Sequence, residues 1–466
     1  MSNVFQEIPM AEPYRIKVVE PASRLSRADR EEALKRAGYN PFLLKSEEVY
    51  IDIQTDSGTA AMSQDQWSEI MKGDEAYSGS RNYFDLQKSV QEILGYEYFY
   101  PTHQGRGAEN IMFGTVCESG KWVISNQFFG TGASHLVYNG ARFVECVVDE
   151  AHDNDSNFPF KGNIDMNKVK AFVDKVGVEN VGFFIMTLTN NPGGGQPVSL
   201  ENLREISAYA KSIGKRLFLD FARFSENAYF IKTKEPGYAD KSISEILHEV
   251  TACSDGCMIS AKKDGLVNIG GLICMRDRQL WLDCAEREIN FEGFLQYGGL
   301  AGRDMAALAQ GIREVVKDDY IEGRVKLLQE LGDKFDAYGV PYLHPVGGHA
   351  LYINANRVYP NIPQSEFPAL VFACQLYLES GVRCCEMGSL CKGFDPDTGE
   401  QLYAAIDLCR LAFGRRAYTS AHYDYVAEAC RRVVEKAGEV KHGLVFDHEE
   451  RTQSCRYFIS TFKWAE

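Results

Sequence analysis

The sequence predicts an α/β fold, with a large domain on a mixed, mostly parallel sheet and a smaller α+β domain beside it. Three observations carry this. Between residues 122 and 275, short apolar, β-branched runs alternate with longer amphipathic stretches, and strands buried on both faces read as continuous apolar runs joined by helices. Two of the runs end in polar residues, Asp220 and the Ser260 turn, and open parallel sheets bind ligands at the carboxyl ends of their strands. Finally, 466 residues exceed what one hydrophobic core serves, so two domains are expected.

Taken in order, an N-terminal arm (1–20) is charged and lacks an apolar core flanked by basic residues. No apolar run approaches the roughly 20 residues a membrane span needs, so a cytoplasmic location is the default expectation. Strands are predicted at 122–125, 143–148, 181–189, 216–221, 256–260 and 270–275, with helices at 167–176 and 200–213. These belong to a large domain, 60–311. Beyond it come a long charged helix (312–338), a strand within 348–354 and a helix at 427–437. Together with 21–59, residues 312–466 form the small domain. There is no internal repeat.

Composition excludes several classes. Hydrophobic residues at 45% and charged residues at 25% are ordinary globular usage. A net charge of -15 disfavours nucleic acid and anionic membranes, which reward basic surfaces. The 13 cysteines are odd in number and scattered; Cys253/Cys257 and Cys384/Cys385 lack zinc-type spacing, so they read as reduced thiols. The nine histidines do not cluster either, which disfavours a metal enzyme.

Three segments carry chemistry. The strand Arg216-Leu217-Phe218-Leu219-Asp220 ends in an acid that suits a protonated ring nitrogen, although a helix-capping acid is the plainer reading. The strand Cys257-Met258-Ile259-Ser260 runs into Lys262-Lys263; a desolvated lysine near other cations can form an imine, although Lys-Lys in a turn is usually a solvated loop. In Pro101-Thr102-His103-Gln104-Gly105-Arg106-Gly107, glycines and a helix start would cradle a phosphate. Each signal alone is weak. Their order, cradle, strand-end acid, then lysine some forty residues on, fits a pyridoxal 5'-phosphate enzyme.

The residues resemble the β-eliminating lyases, tryptophanase and tyrosine phenol-lyase, over nearly the whole chain. The matching stretches include Thr55-Asp56-Ser57-Gly58-Thr59, Gly73-Asp74-Glu75-Ala76-Tyr77-Ser78-Gly79, 101–109, Gly194-Gly195-Gln196-Pro197, Glu226-Asn227-Ala228-Tyr229-Phe230, 260–264 and Tyr297-Gly298-Gly299-Leu300. The resemblance implies a fold-type-I, aspartate-aminotransferase-like architecture, a homotetramer with shared active sites, and potassium activation. It makes Lys263 the Schiff-base lysine and α-proton base, Asp220 the partner of the pyridine nitrogen, and Asn191 and Arg223 partners of the phenolic oxygen. It assigns Gln104, Gly105, Arg106, Ser260 and Lys262 to the phosphate and Phe129 to the ring face. Arg410, with Thr55, would clamp the substrate carboxylate. Glu75 with the carbonyls of Gly58 and Asn268 would hold the cation, and Tyr77, from a neighbouring subunit, would protonate the leaving group.

The side-chain pocket, implied at Gly130, Met387, Tyr457, Phe458 and Tyr297, departs from both members. The phenol-lyase has an arginine at Met387 and a threonine at Gly130, whose loss would leave a phenol hydroxyl unpaired at about 1 to 3 kcal/mol each. Tryptophanases share an aliphatic residue at Met387 but have an acid at Gly130 and a histidine at Tyr457. Local wording such as Ser78-Gly79-Ser80-Arg81 is closer to tryptophanase. Expected, then, is β-elimination of L-tryptophan or a related aromatic amino acid, giving the arene, pyruvate and ammonia. The alternatives are a carbon-sulfur β-lyase, tyrosine phenol-lyase and, behind them, an aminotransferase, which shares the cofactor residues. A decarboxylase shares them too. A non-catalytic amino-acid binder ranks lower because Lys263, Asp220 and Arg410 are all present, and Gly298-Gly299-Leu300-Ala301-Gly302 lacks dinucleotide-binding spacing.

Overall fold

The computed structural model describes residues 11–395, 398–450 and 456–466, so the first half of the arm lies outside the described residues. Seven strands form the central sheet: β1 (Tyr98–Thr102), β2 (Trp122–Ser125), β3 (Arg142–Glu145), β4 (Val181–Thr187), β5 (Leu217–Asp220), β6 (Gly256–Ile259) and β7 (Gly271–Met275). Their spatial order is β1-β7-β6-β5-β4-β2-β3. Only β7 runs against its neighbours, pairing antiparallel with β1 and β6, while the remaining pairs are parallel. The sheet is therefore mixed and mostly parallel, as the apolar runs require.

The crossovers are helices with sequence-encoded starts. Asp165 caps Met166–Val176, Ser199 caps Leu200–Ser212, and Ser242 forms a capping box with Glu245 at Ile243–Ala252; such caps satisfy amides that a helix start leaves without partners. Each helix lays its apolar stripe on the sheet, burying Val169 and Val173, or Leu203, Ile206 and Ala210. Because β4, β5 and β6 share a register, Thr187 pairs with Asp220 and Asp220 with Met258. Their carboxyl ends thus open onto one edge.

The helix expected at 427–437 begins earlier, as Ser420–Glu435, and two further features differ. The 312–338 helix is two helices, Gly302–Val315 and Asp318–Tyr338. Lys317 sits in extended backbone between them, and Asp318 and Asp319 favour a new helix start by charge against its dipole. The strand β1 escaped the periodicity reading because Pro101 lies within it; it survives at the sheet edge, where one side needs no donor.

A second, antiparallel sheet contains β8 (Ala350–Asn354), β9 (Cys385–Glu386) and β10 (Leu408–Ala412) in the order β9-β10-β8. It sets Arg410 opposite both Cys385 and Tyr352. The apolar interior forms one extensive cluster around the first sheet and another around the second. Asp318–Tyr338 spans both, giving Tyr320, Ile321 and Val325 to the first and Leu328, Leu331 and Phe335 to the second. The cysteines among the described residues are free. Also among those residues, no group of three or more His, Cys, Asp or Glu could hold a metal, and no helix is long and apolar enough to cross a membrane.

Candidate active site

Strand ends and one helix start converge at the carboxyl edge of the first sheet. β5 ends on Asp220, and Arg223 follows as the N-cap of the helix Phe224–Lys234. β6 continues through Ser260 and Lys262 to Lys263. Gln104, in extended backbone, bridges to Gly270 and starts the helix Gly105–Val116.

This helix start fits a phosphate, because its first amides lack intrahelical acceptors and carry the positive end of the helix dipole. Gly105 is needed for close approach: a Cβ there would lie 2.5 Å from the Ser260 Cβ. Lys262 Nζ stands 3.5 Å from Gln104 Oε1, and Arg106 is the next residue of the helix. The sequence therefore brings backbone amides, a hydroxyl and two cations to one cradle.

Lys263 lies among charges of both signs. Burial, then the Arg223 guanidinium, pushes its amine down to about 8, against the pull of Asp56 and Asp220. Burial raises the Asp220 carboxyl, and Lys263 and Arg223 oppose that rise. A partly desolvated amine that loses its proton near neutrality is the state needed to attack an aldehyde. A carboxylate at a strand end suits a pyridinium nitrogen.

Arg223 is held from behind. Its Nε and Nη2 donate to Asp56 at 2.9 and 2.8 Å, which leaves Nη1 for a ligand. Asp56 also accepts from Arg415 at 2.9 Å, and Arg415 donates at 2.8 Å to both Glu226 and Asp264, the residue after Lys263. Arg324 adds a cation 3.6 Å from Glu226. Asp264 in turn accepts from the Ser225 amide and hydroxyl at 2.7 and 2.8 Å. Three arginines and three acids, all buried, thus form a cluster of opposed charges beneath the site, in which burial raises the Glu226 carboxyl to about 7. Its cations hold the Asp56 carboxyl well below the ordinary carboxylate range, Arg223 foremost and against the opposing effect of burial.

Asn191 is equally constrained. Its Oδ1 accepts from Tyr352 Oη at 2.8 Å and Arg410 Nη1 at 3.2 Å, with His349 Nε2 at 2.9 Å. The same His349 Nε2 lies 3.1 Å from Tyr352 Oη, and burial keeps the ring neutral by lowering its pKa. The Asn191 amide is then free to donate to a ligand oxygen. Arg410 Nη2 donates to Gln54 O at 3.0 Å, beside Thr55, whereas its Nε and Thr189 Oγ1 are buried without partners. Such orphans fit a carboxylate-bearing ligand. Taken together, the residues fit pyridoxal phosphate at its phosphate, nitrogen, phenolic oxygen and aldehyde.

The other expected residues are less gathered. Phe129 is the half-buried N-cap of the helix Gly130–Tyr138, and a Cβ at Gly130 would meet nothing within 4 Å. Met387 packs against the Leu343, Tyr352 and Leu408 cluster. The Tyr457 hydroxyl donates to Glu386 O at 2.5 Å and contacts Cys385 Sγ at 2.8 Å, so it is committed rather than free for a ligand. Phe458 is exposed and lies edge-on to Phe42. Tyr77 is 68% exposed, stacked on Phe294 and edge-on to Tyr297 at 5.4 Å. Asn268 donates to Gly58 O at 2.9 Å, whereas Glu75 faces Arg303 at 3.5 Å.

Sequence reasoning assigned no role to Asp56, Glu226, Asp264, Arg415, His349 or Tyr352. Asp56, Glu226 and Asp264 lie inside the stretches that carried the resemblance, which was the available signal; Arg415, His349 and Tyr352 offered none.

The comparisons with known proteins agree with this geometry. The profile of the family described as beta-eliminating lyase matches residues 52–429. Tyrosine phenol-lyase of Fusobacterium nucleatum is 47% identical over 98% of this chain and 99% of its own. Tyrosine phenol-lyase of Symbiobacterium sp. is 46% identical over 98% and 99%, and a probable beta-eliminating lyase of Trichomonas vaginalis is 44% identical over 94% and 95%. Among solved structures, serine palmitoyltransferase of Sphingomonas wittichii superposes with a TM-score of 0.58 at 12% identity, covering 89% of this chain and 97% of that one. That likeness bears on fold alone, which is the pyridoxal-phosphate fold type I. Two of these three relatives carry the phenol-lyase name, a substrate ranked above behind tryptophan. With the cofactor residues converging at one sheet edge and a family match over most of the chain, the protein belongs to the β-eliminating lyases and is a pyridoxal-phosphate-dependent lyase.

Proposed function

We propose that the chain cleaves the Cβ–Cγ bond of an aromatic L-amino acid, releasing the arene, pyruvate and ammonia. The observation that carries this is the meeting of Lys263, Asp220 and Arg223 at the sheet edge, with Arg410 reaching Asn191 in the adjoining pocket. Bound pyridoxal phosphate supplies an electron sink for the α-carbon. Arg410 binds the substrate carboxylate and orients the α-carbon, helped by Thr55. Lys263, whose amine loses its proton near neutrality, takes the α-proton, which is not restored to the α-carbon; the three-carbon enamine that is released takes a proton at its β-carbon and one water to give pyruvate and ammonia. Asp220 holds the proton on the ring nitrogen, and Asn191 and Arg223 bind the phenolic oxygen. Gln104, Gly105, Arg106, Ser260 and Lys262 fix the phosphate, and Phe129 covers the ring face. Tyr77 of a neighbouring copy delivers the proton that a carbon leaving group requires. Its exposure alongside Phe294 and Tyr297 supports an approach from outside the chain.

L-Tryptophan ranks first, because Met387 presents an apolar wall and Gly130 no side chain, which suits indole better than phenol. L-Tyrosine is the second reading, favoured by the names of relatives at 44 to 47% identity. A thiol leaving group comes next. A homotetramer in the cytoplasm, the division into 1–20, 21–59 with 312–466, and 60–311, and a potassium ion held by Glu75 with the carbonyls of Gly58 and Asn268 complete the reading. Pyruvate release from tryptophan, tyrosine and S-alkyl cysteines, measured in potassium and then in sodium buffer, tests it. Most pyruvate from tryptophan, falling in sodium, is expected. Pyruvate from S-alkyl cysteines alone would remove the aromatic leaving-group assignment.

A further inference from the structure

Glu109 is a carboxyl that the mechanism above does not use. It lies one turn after Gly105 on the helix Gly105–Val116, and residues four apart share a helix face, so it points the same way as the cradle. Its Oε1 accepts from Thr131 Oγ1 at 3.1 Å. Its Oε2 is buried with no hydrogen-bond partner, and the His135 Nε2 is 3.9 Å from it, beyond hydrogen-bond reach. The side chain is only 12% exposed.

We propose that Glu109 is a positioning residue for the cofactor site: it carries its own proton and so leaves Asp220 as the ionised carboxylate that meets the ring nitrogen. This rests on the pyridoxal-phosphate reading. Two acids in one poorly hydrated site do not both ionise, and the one with the better cationic company gives up its proton first. Asp220 has Lys263, Arg223 and the Ala222 amide. Glu109 has one neutral hydrogen bond; Asp220 faces it from β5, Lys263 from the turn after β6, Arg106 from its own helix and His135 from the helix Gly130–Tyr138. Burial first, then the Asp220 charge, raises the Glu109 carboxyl to about 8, while burial and Arg106 lower the His135 pKa so that the ring adds no compensating charge.

Holoprotein of Glu109→Gln, Glu109→Ala and Thr131→Val is compared with wild type by cofactor dissociation and by the pH at which the visible absorbance of the bound cofactor changes. Glutamine copies the neutral acid, so Glu109→Gln is expected to bind cofactor within about threefold of wild type and to leave the spectral pH unchanged. Glu109→Ala is expected to raise the dissociation constant about tenfold, and Thr131→Val by less. If Glu109 were ionised, glutamine would remove a negative charge and lower the spectral pKa by half a unit or more. That downward shift overturns the proposal, as does unchanged cofactor affinity in Glu109→Ala. Neither readout needs substrate, so each stands apart from the leaving-group assignment. Absence of any visible cofactor band in wild type would instead remove the pyridoxal-phosphate reading itself.

Discussion

Arg415 is fully buried and places its guanidinium within 2.9 Å of three carboxylates, whereas a side chain added at Gly130 would meet nothing within 4 Å. Beneath Lys263 the buried side chains are locked, charge against charge. The residues proposed for the leaving group and the cation are held less firmly: Tyr77 and Phe458 are exposed, and Glu75 faces Arg303 at 3.5 Å. A cofactor's demands are constant across a family, so its residues can be locked in a core. A leaving group varies, and its residues occupy loops and surfaces that change without disturbing that core.

The largest effect that would sharpen this contrast is at Lys263. Lys263→Ala should lower pyruvate formation by at least about 10⁴-fold, because base and imine-forming amine are lost together; activity near wild type would break the assignment. Arg415→Met should destabilise the protein by about 3 to 5 kcal/mol, since it strands Asp56, Glu226 and Asp264 without their shared cation. Chemical denaturation measures that, and a loss below 1 kcal/mol would mean the cluster is not a unit.

Tyr77→Phe should reduce tryptophan turnover on the order of a hundredfold while sparing a thiol leaving group, which departs without carbon protonation. Equal loss on both substrates would point to packing instead. Capture of pyridoxal phosphate by the cofactor-free protein should accelerate about tenfold per pH unit below 8 and level off above it. The sign follows from the lowered pKa: the attacking amine is neutral only above that value. Smallest, Met387→Arg should move the tyrosine-to-tryptophan ratio about tenfold toward tyrosine by giving the phenol oxygen a partner. No movement would place Met387 outside the pocket.

How legible was this in the sequence? The parallel sheet was, because fully buried strands such as Val181–Thr187 write themselves as unbroken apolar runs. Asp220 and Lys263 were, since each follows such a run. The break at Lys317 and the strand at Pro101 were not, as both depend on local backbone geometry that periodicity ignores. Least legible was the cluster joining Asp56, Arg223, Glu226, Asp264, Arg324 and Arg415. No spacing rule couples residues so distant, and each alone reads as an ordinary surface charge. Tyr457 is a related case: residue identity announces a hydroxyl donor but not that Glu386 O takes it.

Asp56 and Arg415 are separated by 359 residues. At a translation rate of about 5 to 20 residues per second, the ribosome needs roughly 20 to 70 seconds to synthesise the stretch between them. Throughout that interval Asp56, Glu226 and Asp264 lack the cation they share, so the floor of the cofactor site is completed only as synthesis nears its end. A nascent chain therefore cannot trap cofactor in a finished site before its second core has been made, and truncation ahead of Arg415 would leave the cluster beneath the lysine one cation short, with Asp264 losing its arginine partner.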